Sequence, residues 1–435
     1  MADRQATTLD VAIIGGGPAG ISACLQLAQT PGCRVALFES ESELGGIPRA
    51  CHGYFGLRDQ KRIYSGHAYA SHLDRLARGT PADIYLNATV LQIVPGHPGE
   101  LHRIQVGSRE GFRYYDARSI LLATGCYESP RDARMISGPR PAGIYTTGTL
   151  QQLVSRFHLK PGAQALVVGS ESVSLSCALA LRRAGAAIAG LVEQDDELQT
   201  YSLLARTMSA ALGFPIHTGT SVHAILGTKR VEGVELRENR TQEIRKVRCD
   251  ALILTGKFRS YSPLIDHTAI GYDPATFGPS VDMDLMTSVS GIFAAGNVLR
   301  GADMHDLCAL EGRRAAQSIA RHLGAGNARR GEEFIIVAQE PIRYVVPQRI
   351  IPEETKFYRS SLFRPGPSIQ LSQTLRACVL EAWSGSQLIW RKPYSKLIAN
   401  TRIPLPLDQF DWRRADRDNG VVLKLKRQDA SPQRA

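Results

Sequence analysis

One pattern occurs twice in this chain and limits what it can fold into. Residues 10–14 (DVAII) form a short apolar run, and GGGPAG follows with Gly15, Gly17 and Gly20 spaced G-x-G-x-x-G. A helix pattern then covers about 19–29, and a second apolar run, 34–38, ends at Glu39. The same order returns 154 residues later: 164–168 (QALVV), GSESVS, a helix pattern to about 184, and a run at 188–192 ending at Glu193. Gly15 to Glu39 and Gly169 to Glu193 are both 24 residues apart. Strand, glycine turn, helix, strand and acid make the unit that cradles a dinucleotide. Gly15 permits the tight turn, Gly17 leaves room for a pyrophosphate, and Gly20 lets helix and strand pack closely. Pro18 and Ala19 open the helix, whose free N–H groups carry partial positive charge toward phosphate. Glu39 is placed to accept hydrogen bonds from a ribose.

The second copy keeps the spacing and loses the glycines. Glu171 stands where Gly17 stands in the first copy, and Ser174 where Gly20 stands. At ~4 Å and surface-like screening, a carboxylate repels one phosphate charge by roughly 1–4 kcal/mol. That is about ten- to thousand-fold in affinity, before steric exclusion. The fold is therefore expected to persist while a nicotinamide nucleotide, NAD(P), is not expected to bind. The alternative is that Glu171 turns outward and the nucleotide still enters.

Flanking motifs say more about the first site. Gly45-Gly46 follows Glu39; LLATG puts Ala123, Thr124 and Gly125 at the end of an apolar run; GIFAAGN puts Gly296 and Asn297 before a helix pattern over about 306–323. In this order, over about residues 9–325, the motifs resemble the pyridine nucleotide-disulfide oxidoreductase superfamily of flavoproteins. The resemblance implies FAD, held by Gly15, Gly17, Pro18, Ala19, Gly20, Glu39, Gly46, Val90, Ala123, Thr124, Gly125, Gly296 and Asn297. Most members have Asp at the position of Asn297, and an amide still donates and accepts hydrogen bonds. The implied fold is α/β: two Rossmann-like, three-layer dinucleotide-binding domains, the second inserted in the first. The expected bounds are 1–155 with 265–328 for the FAD domain and 156–264 for the degenerate NAD(P)-like domain.

The family's redox dithiol, a C-x-x-C after the double glycine, is missing, because Ile47 and Pro48 fill its place. The eight cysteines contain no C-x-x-C pair, so no iron–sulfur cluster and no metal site are expected in this chain. The segment 47–67 carries Arg49, Cys51, His52, Arg58, Lys61, Arg62 and His67. Its cations suit a carboxylate substrate, a partner protein, or a basic loop over the FAD phosphates. Arg49, Cys51 and His52 are weak catalytic candidates, and Cys126 and Cys308 are no stronger.

From about 331 the pattern changes to short strands near 334–337, 342–346, 368–372, 377–383 and 387–391, broken by prolines. A small C-terminal β-rich domain is expected over 331–425, then a disordered tail, 426–435. Net charge is +11, and residues 331–435 hold 17 Lys and Arg against 11 Asp and Glu. That excess suits an acidic partner or an anionic lipid surface, and no nucleic-acid motif accompanies it. The N-terminus lacks a signal pattern and no apolar run reaches the ~20 residues of a membrane helix. The expected location is the cytoplasm, with peripheral association at the inner membrane left open.

The GGIPR, SGPRPAGIYTTGTLQ and AAGN…EGRRAA segments most resemble FAD-binding subunits of heteromeric flavin dehydrogenases, of the hydrogen cyanide synthase B, opine oxidase A and hydroxyproline dehydrogenase alpha type. This resemblance implies an FAD electron-relay subunit of a dehydrogenase for an amino-acid-like or hydroxy-acid substrate. Its partners would be a second flavoprotein and a small iron–sulfur protein. A stand-alone NAD(P)H-dependent flavin reductase competes with it, as does a non-catalytic assembly role in which the FAD is structural.

Overall fold

The computed structural model describes residues 6–325, 331–357 and 365–427. The helices among them are α1 (Pro18–Leu27), α2 (Gly66–Arg78), α3 (Thr147–Ser155), α4 (Ser172–Arg183), α5 (Ser202–Leu212) and α6 (His305–Ala325). The first sheet has seven strands. Asp83–Tyr85, Val35–Phe38, Thr7–Ile14, Gly111–Leu122 and Ile292–Ala294 run parallel, and His102–Ser108 and Thr89–Val94 continue as an antiparallel meander. Thr7–Ile14 is buried over its last four residues and Val35–Phe38 throughout, as parallel strands covered on both faces must be.

The second sheet repeats this plan with Ile144–Thr146, Ala251–Leu254, Gln164–Val168, Ala187–Val192 and Ile216–His217, all parallel. A three-stranded antiparallel sheet, Thr220–Leu226, Gly233–Glu238 and Ile244–Val247, follows it. All these strands fall between Gly111–Leu122 and Ile292–Ala294, so the second unit is inserted in the first. A two-stranded ribbon, Cys126–Glu128 against Phe258–Ser260, joins the two units. The inserted unit starts upstream of the 155/156 boundary expected from the sequence. Thr146 caps α3 by accepting the Thr149 N–H, and Leu150 and Val154 share a core with Ala165 and Val167.

The C-terminal residues form a β-rich domain of two sheets. One has the order Arg349–Ile350, Phe334–Ala338, Val421–Arg427, Leu375–Ser384, Gln387–Leu397; the other is Ile342–Val346, Ser368–Leu371, Ile403–Pro404. Ser384 pairs with Gln387 across a two-residue turn in which Gly385 has φ +55°, the conformation such a turn asks of its first position. Gln387–Leu397 runs through Pro393 because it is an edge strand. Val421–Arg427 lies inside its sheet, so Lys426 and Arg427 end a strand rather than begin the expected disordered tail; 428–435 lie outside the described residues. No helix among the described residues is long and apolar enough to cross a membrane.

Candidate functional site: a cofactor cleft and its closed duplicate

A cleft of about 540 Å³ runs from Val90 past the first glycine turn to the start of α6, within the usual range for cofactor sites. Gly15, Gly17, Pro18, Ala19, Glu39, Gly46, Val90, Ala123, Thr124, Gly125 and Asn297 all line it. Gly20 and Gly296 are not among its lining residues, and both work by close approach. A Cβ on Gly20 would collide with the Gly15 carbonyl oxygen, and one on Gly296 (φ +80°) would sit 2.9 Å from the Ala19 Cβ.

Gly17 is the N-cap of α1, with no side chain bonded to its first turn. A Cβ there would meet nothing within 4 Å, so bare backbone N–H groups face open space. Glu39 is 8% exposed. Its Oε2 accepts the Gly16 N–H at 2.8 Å, and its Oε1 accepts the Glu41 N–H at 2.8 Å and the Ser40 hydroxyl at 3.1 Å. A carboxylate has about four acceptor sites, so one remains for a ligand. The cleft therefore fits a dinucleotide: pyrophosphate at Gly17, ribose at Glu39, and the far half toward Gly125, Asn297 and α6.

The second turn copies this backbone. Gly15 N–H donates to Phe38 O at 2.9 Å, and Gly169 N–H to Val192 O at 2.8 Å. Gly16 N–H reaches Glu39, and Ser170 N–H reaches Glu193 at 3.1 Å. The side chains differ. Glu171 folds back over the turn, its Oε2 accepting the Thr255 hydroxyl at 2.9 Å, and it fills the space beside Gly169 and Gly256, where a Cβ on either would strike it. Arg134 donates to the carbonyls of Thr255 and Gly256 at 2.7 and 2.9 Å; burial lowers its pKa, and the Glu171 charge partly offsets that. Glu193, 2% exposed, is also taken: the Ser170 hydroxyl and the Gln199 amide donate to it. Burial raises its carboxyl above the usual range. Gln199 in turn accepts from Asn400 of the C-terminal domain.

Comparison with known proteins decides the family. Residues 9–321 match the family described as pyridine nucleotide-disulphide oxidoreductase. The chain belongs to that family. Its members are FAD-dependent oxidoreductases, and the open cleft fits their cofactor. The chain is 30% identical over 198 residues to the hydrogen cyanide synthase subunit HcnB of Pseudomonas protegens, covering 43% of this chain and 38% of that one. It is 26% identical over 345 residues to the A-type subunit of opine oxidase from Rhizobium meliloti, covering 72% and 71%. In fold it is similar to the crystal structure of T. acidophilum thioredoxin reductase, with a TM-score of 0.62, 20% identity, and coverage of 72% and 97%.

For a family named after a disulphide, this member holds all eight of its cysteines as unpaired thiols. Burial pushes the Cys126 thiol up to about 12 and the Cys308 thiol well above the ordinary value, although both line the cleft. Cys308 donates to Asn297 Oδ1 at 3.0 Å. Cys51 and His52 are not among the cleft-lining residues. Cys51 lies 3.9 Å from the Ser176 hydroxyl on α4, and burial raises its pKa. Burial and Arg183 lower that of His52. Arg49 does line the cleft, with its charge shared by Glu43 at 3.4 Å and Glu41 at 3.6 Å. Arg58 pairs with Asp306 at 3.1 Å, while Lys61, Arg62 and His67 are exposed. Among the described residues no cluster of His, Cys, Asp and Glu could hold a metal.

Several lining residues escaped the sequence. His305 sits at the first position of α6, where burial depresses its pKa to about 4 and keeps it neutral. Gly148 and Gln151 come from α3. Glu128 accepts the Gly148 N–H at 2.7 Å, and burial raises its carboxyl. The T-T-G run at 146–148 is the only signal for them, and it marks a helix start rather than a chemistry.

Proposed function

We propose that this chain is the FAD-carrying electron-relay subunit of a heteromeric dehydrogenase that oxidises an amino-acid-like or hydroxy-acid substrate without using NAD(P). One observation carries the reading: the Glu171 carboxylate and its Thr255 partner occupy the phosphate end of the second nucleotide fold, while the equivalent space at Gly17 is open. The two relatives described above support it, since both are named as subunits. The chain matches less than half of the first one's length.

FAD supplies hydride acceptance and electron transfer when bound; the rest is the work of this chain. The first turn of α1 would hold the pyrophosphate and Glu39 the adenosine ribose. Asn297, fixed by the Asp303 N–H and the Cys308 thiol on its Oδ1, lines the cleft. The start of α6 brings its positive end to the cleft wall, where it favours added negative charge. Neutral His305 and uncharged Gln151 leave the wall without a strong proton donor. The cleft's Arg49 is engaged by Glu41 and Glu43 and its Glu39 by backbone N–H groups, which suits a relay whose partner does the substrate chemistry.

The test is to purify the native assembly and compare it with this chain alone, both loaded with FAD. Amino-acid-like or hydroxy-acid substrates should bleach the flavin of the assembly and leave that of the isolated chain oxidised. Turnover of NADPH or NADH by the isolated chain would support the stand-alone reductase instead. An assembly that keeps full turnover with this FAD removed would support a structural role.

A further inference from the structure

We propose that the hairpin Tyr54–Phe55/Tyr64–Ser65 and the turn it carries form the docking surface for an acidic redox protein that takes electrons from the cofactor cleft. This rests on the relay reading and goes on to name the surface and the charge of the partner.

The turn has the make-up of an interface centre with a charged rim. Tyr54, Leu57 and Ile63 are 72%, 52% and 62% exposed, three large apolar side chains open to solvent on one short hairpin, the composition that marks an interaction surface. Lys61, Arg62 and His67 surround them and are exposed. Lys61 donates to the Arg58 carbonyl at 3.2 Å, and the Arg62 guanidinium stands 5.4 Å from the Tyr64 ring centre. Neither side chain is in an ion pair among the described residues. Residues 47–78 hold six Lys and Arg against two Asp and Glu. Neither acid offsets the rim: Asp59 is buried, and Asp74 pairs with Arg78 at 2.9 Å. Apolar contacts with a cationic margin favour an anionic partner and speed its approach.

The surface is tied to the cleft. Arg58 runs from the turn to Asp306 in the first turn of α6. Asp59 accepts the Tyr69 hydroxyl at 2.8 Å, and Arg313 of α6 holds the Asp59 carbonyl at 3.2 Å. The Phe55 ring stands edge-on to His305 with centres 4.7 Å apart, and His305 lines the cleft. A protein seated on Tyr54, Leu57 and Ile63 would thus be one side-chain layer from the cofactor wall. In the C-terminal domain, the other basic region, several cations are engaged by acids, while Arg391, Lys392 and Arg417 are exposed. Arg376 and Lys396 hold Glu197 at 2.6 and 2.8 Å, Arg402 holds Asp303 at 3.1 Å, and Arg349 holds Glu333 at 3.5 Å.

The test follows haem reduction by the FAD-loaded, chemically reduced protein, using an acidic b-type cytochrome and a basic c-type cytochrome as one-electron acceptors. Each reduced flavin gives one electron to each of two ferric haems and releases two protons. Lys61→Glu/Arg62→Glu should lower the second-order rate with the acidic cytochrome by at least about tenfold at low ionic strength and flatten its salt dependence, since steering acts on encounter. The rate with the basic cytochrome should not fall. Ile63→Ser should slow the acidic acceptor without changing the salt slope. Arg413→Glu/Arg414→Glu, which makes the same change in net charge on the C-terminal domain, should stay within about twofold of wild type. Equal rates for wild type and Lys61→Glu/Arg62→Glu, or an equal loss in the C-terminal control, would overturn the assignment. Flavin absorbance is read in parallel: a wild-type protein that binds no FAD would refute the cofactor reading instead.

Discussion

Gly17 and Glu171 occupy the same step of two matching turns, and on the proposed reading the side chain decides what each turn admits. Placing a carboxylate in the first turn should reproduce the closure of the second. Gly17→Glu is expected to weaken FAD binding by roughly ten- to thousand-fold from charge alone, measured by titrating the apoprotein with FAD. His305 makes a separate prediction about pH. Its folded pKa, about 4, lies below the ordinary value near 6.5, so the unfolded chain binds the proton more readily. Stability should fall as pH drops from about 6.5 to about 4, by at most about 1.4 kcal/mol per pH unit. His305→Asn should reduce that slope, to which His52, His102 and His217 also contribute, read from denaturant melts across the window; an unchanged slope would show that the ring is not held neutral.

The element that places the first turn is α1, and α1 is fixed by its crossing with α6. A Cβ on Gly312 would collide with the Ala19 carbonyl oxygen, one residue from the turn. Gly312→Ala should force the helices apart, costing about 1–3 kcal/mol and releasing FAD; a calorimetric melt with and without FAD checks both. How far such elements are legible depends on the range of the signal. The glycine spacing, the terminal acids and the strand runs are local, and the sheet follows from them. Gly312 lies inside the EGRRAA segment, but its role depends on a residue almost 300 positions away. The sequence hides the allegiance of α3 because 144–146 is too short to show a strand period, and its partner, Ala251–Leu254, is over 100 residues distant. The end of Val421–Arg427 reads as a tail because alternating lysines look like a solvated end; Lys426 in fact pairs with Glu381 at 3.0 Å and lies over the Trp383 ring.

At the scale of the whole molecule, the C-terminal domain bridges both nucleotide units. It holds Glu197 and Gln199 in the inserted unit and Asp303 in the FAD unit, and Arg343 donates to the Phe258 carbonyl at the joining ribbon at 3.3 Å. The Glu197 pairs are exposed to solvent, which screens them, so their role is to fix orientation rather than to add stability. Glu197→Gln/Asn400→Ala should leave the melting temperature nearly unchanged and raise amide exchange at Phe258–Ser260; unchanged exchange would mean the domains are held by other contacts. On the proposed relay reading, electrons would enter and leave this protein through the FAD cleft, with Glu171 folded over the turn of the second nucleotide fold. Anaerobic stopped-flow mixing of the FAD-loaded chain with millimolar NADH and NADPH tests this most directly. The flavin absorbance should hold steady with both nucleotides; rapid, saturable bleaching by either would show that the second site is open and contradict the account.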